Sequence, residues 1–194
     1  MLAVTQTIPP NVEIQRLLTS VHIEEWLRDD VFHFKWWLLL GLIIGVLLIW
    51  WIGLDKSRAN ETSLFAVLTA ILALGVFEWG EELIWWNFPT DIIPIFLPLS
   101  SLNLISIPLV YSLIYQRFKN WPSFLWTAAG TTALICFVFE PVLARAGYYQ
   151  LIKWKYYYSF PLYLAMAISI KAIVDKIIGT QNYSKQAQNH QIIR

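Results

Sequence analysis

Four carboxylates stand inside otherwise apolar stretches: Glu78, Glu81 and Glu82 in one, Glu140 in another. A charged acid at bilayer depth costs roughly 2.5–3.5 kcal/mol on insertion scales, so such residues are rare and face protein or water. Glu78 and Glu82 are four apart and share a helical face, with Glu81 beside them. Carboxylates this close repel one another if all are ionised. Acids so placed can tie helices together, donate a proton as a general acid, or pass protons and cations along a relay. Other chemistries have no footing here. His22, His33 and His190 lack ligand spacing, and there is no HExxH, CxxC, P-loop, GxGxxG or nucleophile elbow, so neither metal nor cofactor is expected.

The composition says what kind of element must carry these acids. Of 194 residues, 57% are hydrophobic and 14% charged, and the mean hydropathy is +0.53. Soluble proteins average roughly 25% charged residues, so this chain has too few charges to clothe a surface in water. Its 11 Trp and 9 Tyr suit the headgroup region of a bilayer. A net charge of +1 offers no basic field for nucleic acid. Cys136 is the sole cysteine, which rules out an intrachain disulfide. Charges are scattered through the first 35 residues. No cleavable leader is therefore expected, and insertion must rest on internal segments.

These observations predict an all-α fold, a polytopic membrane helix bundle with five transmembrane spans at about 36–54, 63–86, 92–115, 121–143 and 157–178. The first is uncharged, with tryptophan pairs at both ends; the third is broken by Pro94, Pro98 and Pro108, which predicts a distorted or re-entrant entry through Leu97. Ahead of the 36–178 bundle lies a 1–35 segment. Within it, Ile14, Leu17, Leu18 and Val21 predict an amphipathic interfacial helix over 11–28. Behind the bundle, 179–194 reads as a polar, disordered tail. Lys171 near the end of the fifth span is expected to snorkel toward the basic face.

Five spans alternate in direction, which brings Glu78, Glu82 and Glu140 into the bilayer half opposite the C-terminus. His33, Asp91, Tyr148, Tyr149 and Trp154 belong near that surface, and Asn103 near the middle of its span. In a compact bundle Asn103, Trp85, Tyr148 and Trp154 would then line one pocket around the acids. Arg145, Lys153 or Lys155 could instead pair with Glu140 in a purely structural role. Lys56, Arg58, Arg117 and Lys119 crowd the two tight loops of the other face, which favours an N-out, C-in orientation. Gly41 and Gly45 form a GxxxG that lets a helix approach, within the bundle or across a homodimer, and Ala128-Ala129-Gly130 offers the same. Val76-Phe77-Glu78 echoes Val138-Phe139-Glu140, an echo better explained by coincidence than by duplication.

Several strings of residues carry a wider likeness: Phe32-His33-Phe34-Lys35-Trp36-Trp37, Asp55-Lys56-Ser57-Arg58, Pro108 to Tyr111 through Tyr115-Gln116-Arg117-Phe118, Phe139-Glu140-Pro141, and Trp154-Lys155-Tyr156-Tyr157-Tyr158-Ser159. Over roughly residues 30 to 178 the chain resembles a family of small multi-pass membrane proteins of Gram-positive endospore-forming bacteria. In that pattern the second span carries one or two acids ahead of a Trp-x-aromatic-Pro. Glu82 and Trp86-Asn87-Phe88-Pro89 fit it, Glu78 is shifted by about a residue, and Glu81 is extra. The resemblance implies a bacterial cytoplasmic membrane location and no particular activity.

Three functions are open at this level. The first is a non-catalytic structural, sensory or accessory membrane component. The second is an enzyme on a lipid or isoprenoid, with Glu78 or Glu140 as general acid and aromatic faces steadying cationic charge. The third is proton or cation translocation through Glu78, Glu82 and Glu140. Membrane lipids are the expected partners in each.

Overall fold

The computed structural model describes residues 9–94 and 102–192, the side chains only as far as 180. The fold is mostly helical: α1 Pro10–Glu25, α2 Phe34–Gly53, α3 Ala59–Glu82, α4 Leu102–Arg117, α5 Trp121–Leu134, α6 Glu140–Ala146 and α7 Tyr156–Ile192. Two short strands, β1 Trp86–Asn87 and β2 Gln150–Leu151, pair antiparallel with Trp86 opposite Leu151. Three helical stretches are long and apolar enough to cross a membrane, namely Phe34–Gly53, Lys56–Glu82 and Trp121–Ala146. They coincide with the first, second and fourth expected spans. Of the third expected span, the described helix is α4, whose 16 residues cover about 24 Å of a ~30 Å hydrocarbon core. Leu97 and Pro98, on which a re-entrant entry was expected, lie outside the described residues. The expected disordered tail is helical as far as Ile192, because α7 continues through it.

Connections gather at two ends. At one end β1 meets β2, the Trp85 carbonyl accepts from the amides of Ile152, Lys153 and Trp154, and the Tyr148 hydroxyl donates to the Lys35 carbonyl. There too His22 Nε2 lies 2.6 Å from an Asp91 carboxylate oxygen, while the Trp26 indole donates to the Asp91 carbonyl. At the opposite end, the Gln116 side chain accepts from the Asp55 amide and donates to the Gly53 carbonyl, and Arg58 donates to the Gln116 carbonyl. Helix α4 is the common partner, packing on α2, α3 and α5, while α7 packs on α3 and α5. The main core holds Phe65, Phe77, Ile107, Tyr111, Phe124 and Tyr163, with Phe65 stacked on Tyr115 at 4.7 Å. Leu39, Ile43 and Tyr148 form a separate small cluster.

Among the described residues no helix packs closely on the GxxxG: a methyl group at Gly41, Gly45 or Gly130 would meet none of them within 4 Å, although Ala128 is buried. Gly80 is different: a Cβ there would run into the Trp86 ring, so the bare backbone is what lets this indole pack on α3.

Helix α3 then stops on an unusual residue. Ile84 takes φ 55° while the amides of Ile84 and Trp85 close on the carbonyls of Glu81 and Gly80. This left-handed termination suits glycine and costs a β-branched residue roughly 1–2 kcal/mol. Gly147, with φ 81°, terminates α6 in the same way without strain. Two substitutions test this corner by unfolding in detergent micelles. Gly80→Ala should destabilise the chain by about 2 kcal/mol through overpacking. Ile84→Gly, three residues from the Glu81 carbonyl it bonds, should stabilise it by about 1 kcal/mol.

Candidate functional site

Glu140 is the acid that the fold encloses, and a change of helical pitch turns it inward. The buried residues Phe124, Ala128, Thr132 and Cys136 recur every four positions. In an ideal α-helix that spacing drifts, and Glu140 would stand roughly 160° around the axis from Phe124. Between Ile135 and Phe139 the chain forms a π-helical turn. Its extra residue rotates the later part of the helix back by about 100°. Pro141 explains the turn locally, because it has no N–H for the Phe137 carbonyl and its ring crowds that oxygen. As a result Glu140 is wholly buried, while Phe137, Val138 and Phe139 are exposed.

The carboxyl lands among hydroxyl and amide donors. Glu140 Oε1 accepts from the Tyr163 hydroxyl at 2.7 Å and from Asn103 Nδ2 at 3.4 Å. Ser159 lies beside the carboxyl. Its Oγ accepts from the Trp154 indole at 3.0 Å, which leaves its own proton free to point at Glu140. Among the described residues the second carboxyl oxygen, Oε2, is buried without a hydrogen-bond partner, as is the Trp86 indole nitrogen. Deeper along α4, the Tyr111 and Thr132 hydroxyls are 2.5 Å apart, and Thr132 also donates to the Ala128 carbonyl. Burial pushes the Tyr149 hydroxyl above its ordinary range, and the nearby Glu140 carboxylate pushes it further. Three segments therefore meet through polar atoms: α4 by Asn103, α6 by Glu140, and α7 by Ser159 and Tyr163.

The other expected site residues go elsewhere. Glu78 and Glu82 are exposed on α3 and Glu81 is half-buried toward Asp91 and His22, so the three do not share a cavity with Glu140. Helical phase is the reason, because the same turn of α3 buries Phe77 and Gly80 instead. The triplet echo fails on this point: Phe77 is buried beside an exposed Glu78, whereas Phe139 is exposed beside a buried Glu140. Arg145, Lys153 and Lys155 are exposed, and none pairs with Glu140. Trp85 stacks on Trp154 at 4.9 Å, with Trp154 the nearer to the site through Ser159. Tyr148 turns away into the cluster with Leu39 and Ile43. Of the expected pocket only Asn103 and Trp154 reach Glu140's surroundings. Among the described residues no cluster of His, Cys, Asp and Glu could hold a metal ion.

A second buried ionic site lies at the opposite end. Lys171 is 1% exposed, with its ammonium 4.8, 5.2 and 5.1 Å from the ring centres of Tyr115, Trp121 and Phe124. It donates to the Lys119 carbonyl at 3.1 Å and pairs with Asp175 at 3.2 Å, while the Tyr115 hydroxyl also donates to Asp175. Lys171 thus reaches the expected loop, but its charge ends inside an aromatic cage rather than in water. The sequence signal for both sites is the same. Asn103, Tyr111 and Tyr115, then Thr132 and Glu140, then Ser159 and Tyr163 repeat polar groups at multiples of four.

Comparison with protein-family models, with curated proteins and with solved structures gives no match.

The cage yields a stability test. Lys171→Ala would leave a cavity between three rings, at a cost of about 3 kcal/mol. Lys176→Ala, on the exposed side of α7, should change stability by less than about 0.5 kcal/mol. Denaturant titration of the two variants side by side checks the contrast.

Proposed function

We propose that this chain is a five-span protein of the bacterial cytoplasmic membrane, a non-catalytic structural or accessory component held in shape by a buried polar layer around Glu140. Besides the three long apolar helices, α4 and α7 supply the remaining spans. The gathering of the connections at two ends supports this alternation. Exposed aromatics near helix ends support it as well: Trp37, Trp79, Tyr157 and Tyr158 toward one end, Trp51 and Trp126 toward the other. Both sets suit the headgroup region. Helix α1 leaves Ile14, Leu17, Leu18 and Val21 exposed and lies in the interface of the same face, an N-out, C-in arrangement.

The observation that carries the non-catalytic role is the enclosure of Glu140. A carboxyl with no exposed surface, bonded by Tyr163 and Asn103, serves to join helices. In an apolar interior these bonds matter because each donor would otherwise be stranded. One observation favours a second reading. Glu140 Oε2 has no partner among the described residues and Tyr149 and Trp154 stand close, as a general acid acting on a lipid or isoprenoid would require. Relay of protons finds less support, since Glu78 and Glu82 are apart from Glu140.

Glu140→Leu should lower stability in micelles by about 2–3 kcal/mol by orphaning Tyr163 and Asn103, and Glu78→Gln should be neutral. Lipid profiles of cells with and without the gene should be the same. A changed profile, restored by wild type but not by Glu140→Gln, would establish the enzyme instead.

A further inference from the structure

Helices α2 and α3 follow one another in sequence, and each packs on α4 far more than on its neighbour. They leave a cleft with α4 as its floor. This groove has a volume of about 480 Å³ and is lined by Leu47, Ala66, Val67, Ala70, Leu104 and Pro108 among others. The Trp50 indole at its rim is committed to Ser112 at 2.8 Å. A water needs two to four polar partners, and this lining is almost wholly apolar. The groove therefore calls for hydrocarbon.

Its length narrows the choice. Along α3 the lining runs from Ser63 to Leu74, about 16 Å at helical rise, or about half of a ~30 Å hydrocarbon core. That is the depth of one leaflet, whereas a helix from another chain would need a groove across the whole bilayer. The groove starts beside the Lys56–Arg58 turn. Around that end, Glu61 is taken by Arg58 and the Asp55 carboxylate accepts from Ser57. Lys56, Arg117 and Lys119 are exposed and make no ion pair among the described residues. An apolar slot one leaflet deep thus opens beneath a basic cluster in which Lys56, Arg117 and Lys119 outnumber the one carboxylate not held by an arginine, Asp55.

We propose that this groove is a binding site for an anionic phospholipid, with one acyl chain between α2 and α3 and its phosphate among Lys56, Arg117 and Lys119. The site rests on the membrane reading above and adds a ligand class to it.

The test is native mass spectrometry of the full chain released from nanodiscs of mixed phosphatidylglycerol and phosphatidylcholine. Wild type should retain one phosphatidylglycerol. Ala70→Trp, which fills the slot, should reduce retention at least tenfold while keeping its circular dichroism. Val67→Phe, at the exposed rim, serves if that variant does not fold. Lys56→Gln should leave total lipid unchanged and cut the preference for phosphatidylglycerol about fivefold, the effect of one cation near an anionic surface. Equal retention by wild type and the filled variants would overturn the site. So would conversion of a dimer to a monomer by Ala70→Trp, which would seat a second copy there. A chain absent from the membrane fraction would fail the membrane reading itself, whereas a membrane-resident chain without bound lipid fails only this one.

Discussion

A carboxyl shut away from water must find donors inside the protein, and meeting that need at Glu140 organises one end of this bundle. The acid cannot be satisfied within its own helix. It draws Tyr163 and Ser159 from α7, the next helix, and Asn103 from α4, two helices earlier in the chain. Because an unpaired polar group in such surroundings costs more than an ordinary hydrogen bond returns, these contacts specify position more than they add stability. The π-helical turn ahead of Pro141 is the local distortion that makes the meeting possible.

Lys171 poses the same problem with the opposite sign at the other end. Its ammonium is held by three aromatic faces, a carbonyl and Asp175. Helix α7 is thus pinned twice, by hydroxyls to Glu140 and by Lys171 to the loop before α5. Between the pins it packs through Met166, Ala167 and Ile170, apolar groups that need no directed bonds.

Polar anchoring of α7 contrasts with the looseness of α2. That helix is exposed along most of its length, from Trp37 through Leu42, Ile44 and Leu48 to Ile52, and among the described residues a Cβ at Gly41 or Gly45 would meet no neighbour within 4 Å. It is held at its ends, by Trp36 to the Ile92 carbonyl and by Trp50 to Ser112. A helix bonded near its ends and packed on α4 only along the narrow stripe of Leu39 and Ile43 leaves room beside it, which is where the groove on α4 opens.

Much of this was legible in the sequence. Low charge and long apolar runs dictate helices of membrane length, because a backbone in hydrocarbon must bond to itself. The acids of those runs stood out as costly, and Glu140 among them is the buried one. The phase of each helix was not legible. Whether Glu78 or Glu140 faces inward depends on the rotational phase of its helix, set by Trp86 packing on Gly80 in one case and by an extra residue before Pro141 in the other. The same holds for Lys171, whose charge and position suit both a snorkelling side chain and a caged one. Sequence by itself determined which residues are expensive to bury; only the tertiary structure, by bringing distant donors and rings within reach, decided which of them are buried and what holds them.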